Sequence, residues 1–183
     1  MPRSRVMSLI AATLLLATGC SEAADPPPTV AQVDLERYTG TWYEIARIPN
    51  RFQRQCTADT TARYTRQADG TIEVVNRCRT ADGRYDQVQG IARVVDTQSN
   101  AKLEVSFFSI FGWRPLWGDY WILELAKNYE YVLVGTPNRK YGWLLARSPT
   151  LPDATRARLD QRMRELGYDP ARFESSAQPP GRS

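Results

Sequence analysis

The feature that most limits what this chain can become is a run of eight short segments, each alternating apolar and polar residues, that begins just after Asp34. They span residues 40–48, 58–65, 71–79, 85–95, 102–108, 119–126, 130–135 and 143–147, and most of the connections carry turn pairs: Asp69-Gly70, Asp82-Gly83, Ser99-Asn100 and Pro137-Asn138. A period of two is the signature of strands with one face in water and the other in a core. Eight sequential antiparallel strands fit an all-β, eight-stranded up-and-down β-barrel, which removes exposed edges and can hold one small ligand; a two-sheet sandwich is the structural alternative.

The alternation also assigns faces. Lys102, Glu104 and Ser106 belong to water, so Leu103, Val105 and Phe107 point inward. The same rule sends Ala58, Thr60, Ala62 and Tyr64 inward on the second strand, Ile72, Val74 and Asn76 on the third, Val88, Gly90, Ala92 and Val94 on the fourth, and Trp121 and Leu123 on the sixth. Two of these walls are built of small residues, Ala58 with Ala62 and Gly90 with Ala92, which leaves room for a ligand unless bulky neighbours such as Phe107 and Trp121 fill it. From Asp153 to Leu166 the period becomes helical, with Leu159, Met163 and Leu166 in one stripe and Gly167 as a stop, as expected of one C-terminal helix packed on the barrel wall.

The amino terminus has the pattern of an export signal over residues 1–19: Arg3 and Arg5, an apolar run over 6–17 too short to span a bilayer, then small residues up to Gly19. LLLATGC resembles a bacterial lipobox, which implies cleavage before Cys20 and its acylation by chains such as palmitate; an ordinary secreted protein is the alternative. Ser21, rather than aspartate, after that cysteine implies the outer membrane, facing the periplasm. Residues 20–33 read as anchor and flexible tether, 34–174 as the barrel domain and 175–183 as a polar tail. Losing Arg3 and Arg5 lowers the net charge from +4 to +2, and the remaining arginines are scattered, so nucleic acid is not an expected partner.

Catalytic and metal classes are narrowed by one count: the chain has no histidine. Histidine-activated nucleophiles, histidine zinc sites and histidine-ligated haem are excluded, and no phosphate-binding glycine loop is present. Glu44 and Glu124 lie on strands without a second acid at a telling position. An enzyme is not expected, and neither a metal nor a cofactor is.

RYTGTWYEIARIPNRFQ, DGTIEVVNRC, GIARV, LEVSFF, GDYWILEL, YEYVLVGTPNRKYGWLLARSP and LGYDPARF together resemble the lipocalins, and among them the bacterial outer-membrane lipocalins and the apolipoprotein D-like proteins. The resemblance covers about Asp34 to Phe173, with Gly118 where the family usually has threonine. It implies that Gly40 and Trp42 plug the closed end, that Arg147 packs over the tryptophan ring, and that Asp119 and Tyr120 belong to a second structural signature. It implies that residues 49–55, with Arg51, Phe52 and Arg54, form a lid over the open mouth. With that topology Cys56 and Cys78 fall at the mouth end of neighbouring strands, where a disulfide is plausible and two separate thiols are the alternative. Phe111, Trp113 and Trp117, in the connection after the fifth strand, are expected at the mouth, facing a ligand chain, a membrane interface or their own loop. The implied function is a membrane-anchored carrier of a fatty acid, lysophospholipid or phospholipid for envelope maintenance. Thr60, Tyr64 and Asn76 would be polar contacts inside, and Arg51 or Arg54 would hold an anionic head. A structural or interaction lipoprotein with a filled barrel, or a carrier of a tetrapyrrole or isoprenoid, is the alternative, and monomer and dimer are not distinguished.

Overall fold

A computed structural model describes residues 25–178; the leader, Cys20 and the last five residues lie outside the described residues. All eight expected strands form: β1 Gly40–Arg47, β2 Cys56–Arg66, β3 Ile72–Thr80, β4 Tyr85–Val94, β5 Lys102–Ser106, β6 Gly118–Leu125, β7 Tyr131–Gly135 and β8 Gly142–Ala146. Each pairs antiparallel with the next, and β1 pairs with both β8 and β2, so the sheet closes into a barrel.

Four elements carry no strand pattern in the sequence. Asp34 caps a one-turn helix, α1 Leu35–Tyr38, by accepting from the backbone N–H groups of Glu36 and Arg37. Asn50 caps a 3-10 turn, Arg51–Gln53, in the lid in the same way. A second 3-10 turn, Pro170–Arg172, precedes a two-residue strand, β9 Glu174–Ser175. This ninth strand repairs a defect in closure. β2 pairs with β1 only over Gly40–Tyr43; beyond that the two strands part, and β9 takes the vacant edge opposite Ala46 and Arg47. The backbone continues the repair, Ser176 N donating to Ile45 O and Asp59 N to Ala177 O, while the Gln178 amide donates to the carbonyls of Glu44 and Thr60. Residues 175–178 are therefore part of the barrel seam and not of a free polar tail, because an unpaired strand edge must find hydrogen-bond partners.

Two cores result. Inside the barrel, Trp42, Ile72, Val74, Leu103, Ile122 and Val134 are buried with their neighbours. Outside it, helix α2 Asp153–Glu165 lays Leu159 and Met163, with Leu166 just beyond, on Leu123, Leu133, Leu144 and Ala146. Gly167, at φ +78, ends that helix, and Tyr168 N closes the turn onto Met163 O. The helix explains two corrections. Trp121 and Leu123 face outward, not into the barrel: Leu123 is buried under the helix and Trp121 packs at its margin, with the Lys102 ammonium 4.5 Å from its ring centroid. Alternation in an apolar strand cannot say which face is the interior when a helix makes the outer face equally dry.

Candidate functional site at the barrel mouth

The closed end is sealed from the residues upward. Trp42 is fully buried, its indole N–H donates to Tyr38 O, and the Arg147 guanidinium lies 3.9 Å over the ring. Arg147 also donates to the carbonyls of Arg37, Tyr38, Thr39 and Thr41. Gly40, at φ +95, lets this guanidinium pass close by, since a Cβ there would lie 3.2 Å from its nitrogen. Beside it three hydroxyls meet: Tyr120 bonds Tyr38 at 2.7 Å and Tyr64 at 2.9 Å. Burial raises the Tyr38 and Tyr120 phenols well above their ordinary range and pushes Tyr64 up to about 12. Tyr64 is thus spent in the plug and is not a contact for a ligand head. Asp119 stays exposed on the outer face, opposite Glu104.

The small inward residues turn out to be occupied. Ala62 stands directly opposite Trp42, and the Phe107 ring lies over Gly90, where a Cβ would come 2.5 Å from the ring. Ala58 sits opposite Arg79, out of phase with the Ala62–Asn76 pair, because β2 bulges on both sides of Ala58. The room expected from small walls is used by neighbouring rings at Ala62 and Gly90.

What opens inward lies nearer the mouth. Along β4, Ala92 is 3% exposed and Val88, four residues nearer the mouth in the same inward phase, is 44% exposed; Phe107 is 38% exposed. Asn76 lies opposite Val88, and Val105 opposite Ala92. The disulfide Cys56–Cys78, with a Cα separation of 5.4 Å, ties β2 to β3 at this end. Thr60 is buried at the seam.

A polar network, not visible in the strand pattern, sits behind this opening. Glu44 is 3% exposed, and its carboxylate accepts from Arg47 at 2.6 Å, from the Ser176 hydroxyl and from the Gln53 amide at 2.7 Å. Gln53 Oε1 in turn accepts from the Trp143 indole at 2.9 Å and from Asn50. Arg47 also donates to Cys56 O. The bulge at Ile45 is the cause: it lets Glu44, opposite Leu145, and Arg47, opposite Trp143, share the inner face although they are three residues apart. Gln53 is thus a latch from the lid into the barrel. Trp143 and Leu145 alternate with equally apolar Leu144 and Ala146, so period two does not mark Trp143 as inward, and the bulge concealed the Glu44–Arg47 pair.

At the rim, Arg51 and Arg54 are exposed on the lid, and Phe52 packs on Tyr141 with centroids 5.8 Å apart. The β5–β6 connection splits. Trp117 folds back under Arg93, 4.1 Å from the guanidinium, while Phe111 and Trp113 remain exposed. Glu124 is on the outer wall, paired with Arg162 of the helix at 3.0 Å. Among the described residues, no group of three His, Cys, Asp or Glu side chains is placed to hold a metal ion, and no helix is long and apolar enough to cross a membrane. Two surface grooves, of about 420 and 590 Å³, lie outside the barrel: one on the outer faces of β1–β4 around Asp59 and Arg77, the other at the closed end around Asp34 and Arg66. Both have substantial polar linings, and neither is lined by Asn76, Val88 or Phe107 of the inner wall near the mouth.

A barrel plugged by aromatics at one end and opened at the other under a latched lid defines a cup-shaped small-ligand-binding protein. A lipocalin-like domain model matches residues 33–178. The chain is 38% identical over 152 residues to temperature-induced lipocalin-1 of Arabidopsis thaliana, covering 81% of each chain. It is 34% identical over 180 residues to the outer membrane lipoprotein Blc of Escherichia coli (strain K12), covering 96% of this chain and 98% of that one. Insecticyanin of the tobacco hornworm Manduca sexta shares the fold at a TM-score of 0.67 and 22% identity, with 85% of each chain covered. The chain belongs to the lipocalin family, and its place is the outer membrane, where it is lipid-anchored.

Proposed function

We propose that this lipocalin holds a fatty acid, a lysophospholipid or one chain of a phospholipid in the mouth half of its barrel, and so stores or carries lipid for the envelope. The observation that carries the reading is the inner-wall gradient: Ile72, Val74, Ala92 and Leu103 are each 3% exposed, while Val88 and Phe107, nearer the mouth, are open. An acyl chain laid on that wall gains about 0.8 kcal/mol per buried methylene without any catalytic group. Arg51 and Arg54 are free on the lid to meet an anionic head. A non-catalytic role is supported by Glu44 and Glu124, both engaged by arginines and neither left as a free base. Acylation of Cys20, five residues before the first described residue, supplies the anchor in this reading.

Titration of the chain from Ser21 onward with palmitate and with lysophosphatidylethanolamine, followed by tryptophan fluorescence, tests it. Trp143, hydrogen-bonded to the lid, is the reporter. Saturable one-to-one binding is expected, weakened at least about tenfold by Val88→Asp, because a carboxylate against an acyl chain is costly to desolvate. A folded protein that binds neither lipid refutes the reading.

A further inference from the structure

We propose that the barrel sits mouth-down on the bilayer that holds its anchor, with the 108–116 connection inserted among the lipids; the orientation rests on the reading of Cys20 as the acylated residue.

The tether meets the barrel at its mouth. Asp25 is not at the closed end, where β1 begins: its carbonyl accepts from Arg139 at 2.8 Å, and Arg139 is itself fixed to Leu166 O at 2.8 Å. Arg139 lies in the β7–β8 connection, which antiparallel order places at the same end as the lid and the β5–β6 connection. From there the chain runs along the wall, Val30 N donating to Ile122 O, and reaches the closed end at Val33, whose N–H donates to Ser99 O. Four residues lie between Cys20 and Asp25, which makes five Cα–Cα steps. Fully extended, those five steps reach about 17 Å. A barrel of strands this long is roughly 25 Å tall once tilted. An acyl group on Cys20 can therefore reach a membrane at the mouth, whereas one at the closed end is out of range.

The surface at that end is apolar. Ile110 and Trp113 exchange backbone hydrogen bonds around a two-residue turn of Phe111 and Gly112, at φ +48 and +84. A bulky phenylalanine is rare in that left-handed conformation. Its side chain is fully exposed, and Phe108, Ile110, Trp113 and Leu116 around it are 48, 44, 67 and 65% exposed. No carboxylate occurs from Phe107 to Trp117, and the only charge, Arg114, is turned back to donate to Ser106 O at 3.0 Å. So large an apolar projection is unfavourable in water and suits the boundary between headgroups and acyl chains. Exposed Arg51, Arg54 and Lys140 on the same rim meet anionic headgroups, and Phe52, 58% exposed, gives a second apolar point. Mouth-down placement lets an acyl chain pass between bilayer and barrel without crossing water.

The test uses the full acylated protein in vesicles of phosphatidylethanolamine and phosphatidylglycerol carrying bromine on their acyl chains, with tryptophan quenching and flotation read together. Trp113 fluorescence should be quenched, the quenched share should vanish in Trp113→Phe, and Phe111→Asp, a change at a fully exposed position, should reduce it while the protein still floats. Flotation with no quenching from Trp113 overturns the loop insertion and leaves the anchor standing. Quenching of Trp113 in a chain whose mass shows no acyl group leaves the insertion standing and overturns the tether argument. Trp113 shielded from aqueous iodide but untouched by bromolipid, in a chain that crosslinks as a dimer, gives the surface to a second copy and overturns the proposal.

Discussion

The two ends of the barrel satisfy the same requirement, that buried polar groups find partners, by opposite means. At the closed end Trp42, Tyr38, Tyr64, Tyr120 and Arg147 form one packed unit: the rings meet tilted or edge-on, and almost every polar atom spends itself on a neighbouring hydroxyl or carbonyl within the plug. At the mouth Glu44, Arg47, Gln53, Trp143 and Ser176 also satisfy one another, but their partners come from separate elements: a strand, a lid, a late strand and the carboxy-terminal seam. One end is a plug whose parts are packed and hydrogen-bonded to one another. The other is a set of removable contacts, which is what a binding mouth requires.

The sharpest break of this comparison is Trp42→Ala. It empties a fully buried site and leaves Arg147 over nothing, so a loss of about 3–5 kcal/mol is expected in urea unfolding. Removing the disulfide by Cys56→Ser with Cys78→Ser costs about 3 kcal/mol for a bridge spanning 22 residues. Its hydrogen-exchange signature should differ from that of Trp42→Ala: protection falls in 56–60 and 76–80 while the Trp42 indole stays protected. Equal loss at both ends would dissolve the distinction.

Alkaline pH tests the plug alone. The raised folded pKa of Tyr64, about 12, and the upward shifts of Tyr38 and Tyr120 mean that the folded state holds these protons more tightly than the unfolded chain does. Their contribution is fully present below about pH 10, where free tyrosine titrates, and is lost as pH climbs through the folded values. Stability should fall above about pH 10, and Tyr120→Phe, which breaks both hydroxyl contacts, should cost on the order of 1–3 kcal/mol at neutral pH and flatten that fall. A wild-type alkaline limb no steeper than the variant's would remove the tyrosine cluster from the account. The smallest effect belongs to the latch. Gln53→Ala should cost about 1 kcal/mol or less and speed exchange in 50–55 and ligand release, with Trp42 unaffected. Unchanged exchange there would show that Gln53 does not hold the lid.

Most of the architecture was legible because period-two alternation and turn pairs are local. All eight strands and the helix lie within three residues of where the pattern sets them, and the carboxy-terminal stripe of Leu159, Met163 and Leu166 is buried as its spacing implies. The inner wall was legible for Ile72, Val74, Ala92, Leu103 and Val105, each of which has at least one charged outward neighbour in Glu73, Arg93, Lys102 or Glu104. It failed where that contrast vanishes. Trp121 and Leu123 alternate with equally apolar Ile122, so only the position of the helix decides their face. Ala58 failed because bulges break the period on both sides of it. The same kind of break at Ile45 hid the Glu44–Arg47 pair.

Neighbouring residues alone encode the eight strands, the helix and the apolar, carboxylate-free connection after the fifth strand, whereas the plug and the lid were expected only from the resemblance to the lipocalins. The tertiary structure alone decided the contents of the mouth. Glu44 meets Ser176 across 132 positions, Gln178 bridges strands that part, Phe107 covers Gly90, and Arg139 holds Asp25 at the open end. These contacts form between residues far apart in the chain and depend on bulges and on the closure of the seam, so no local period encodes them.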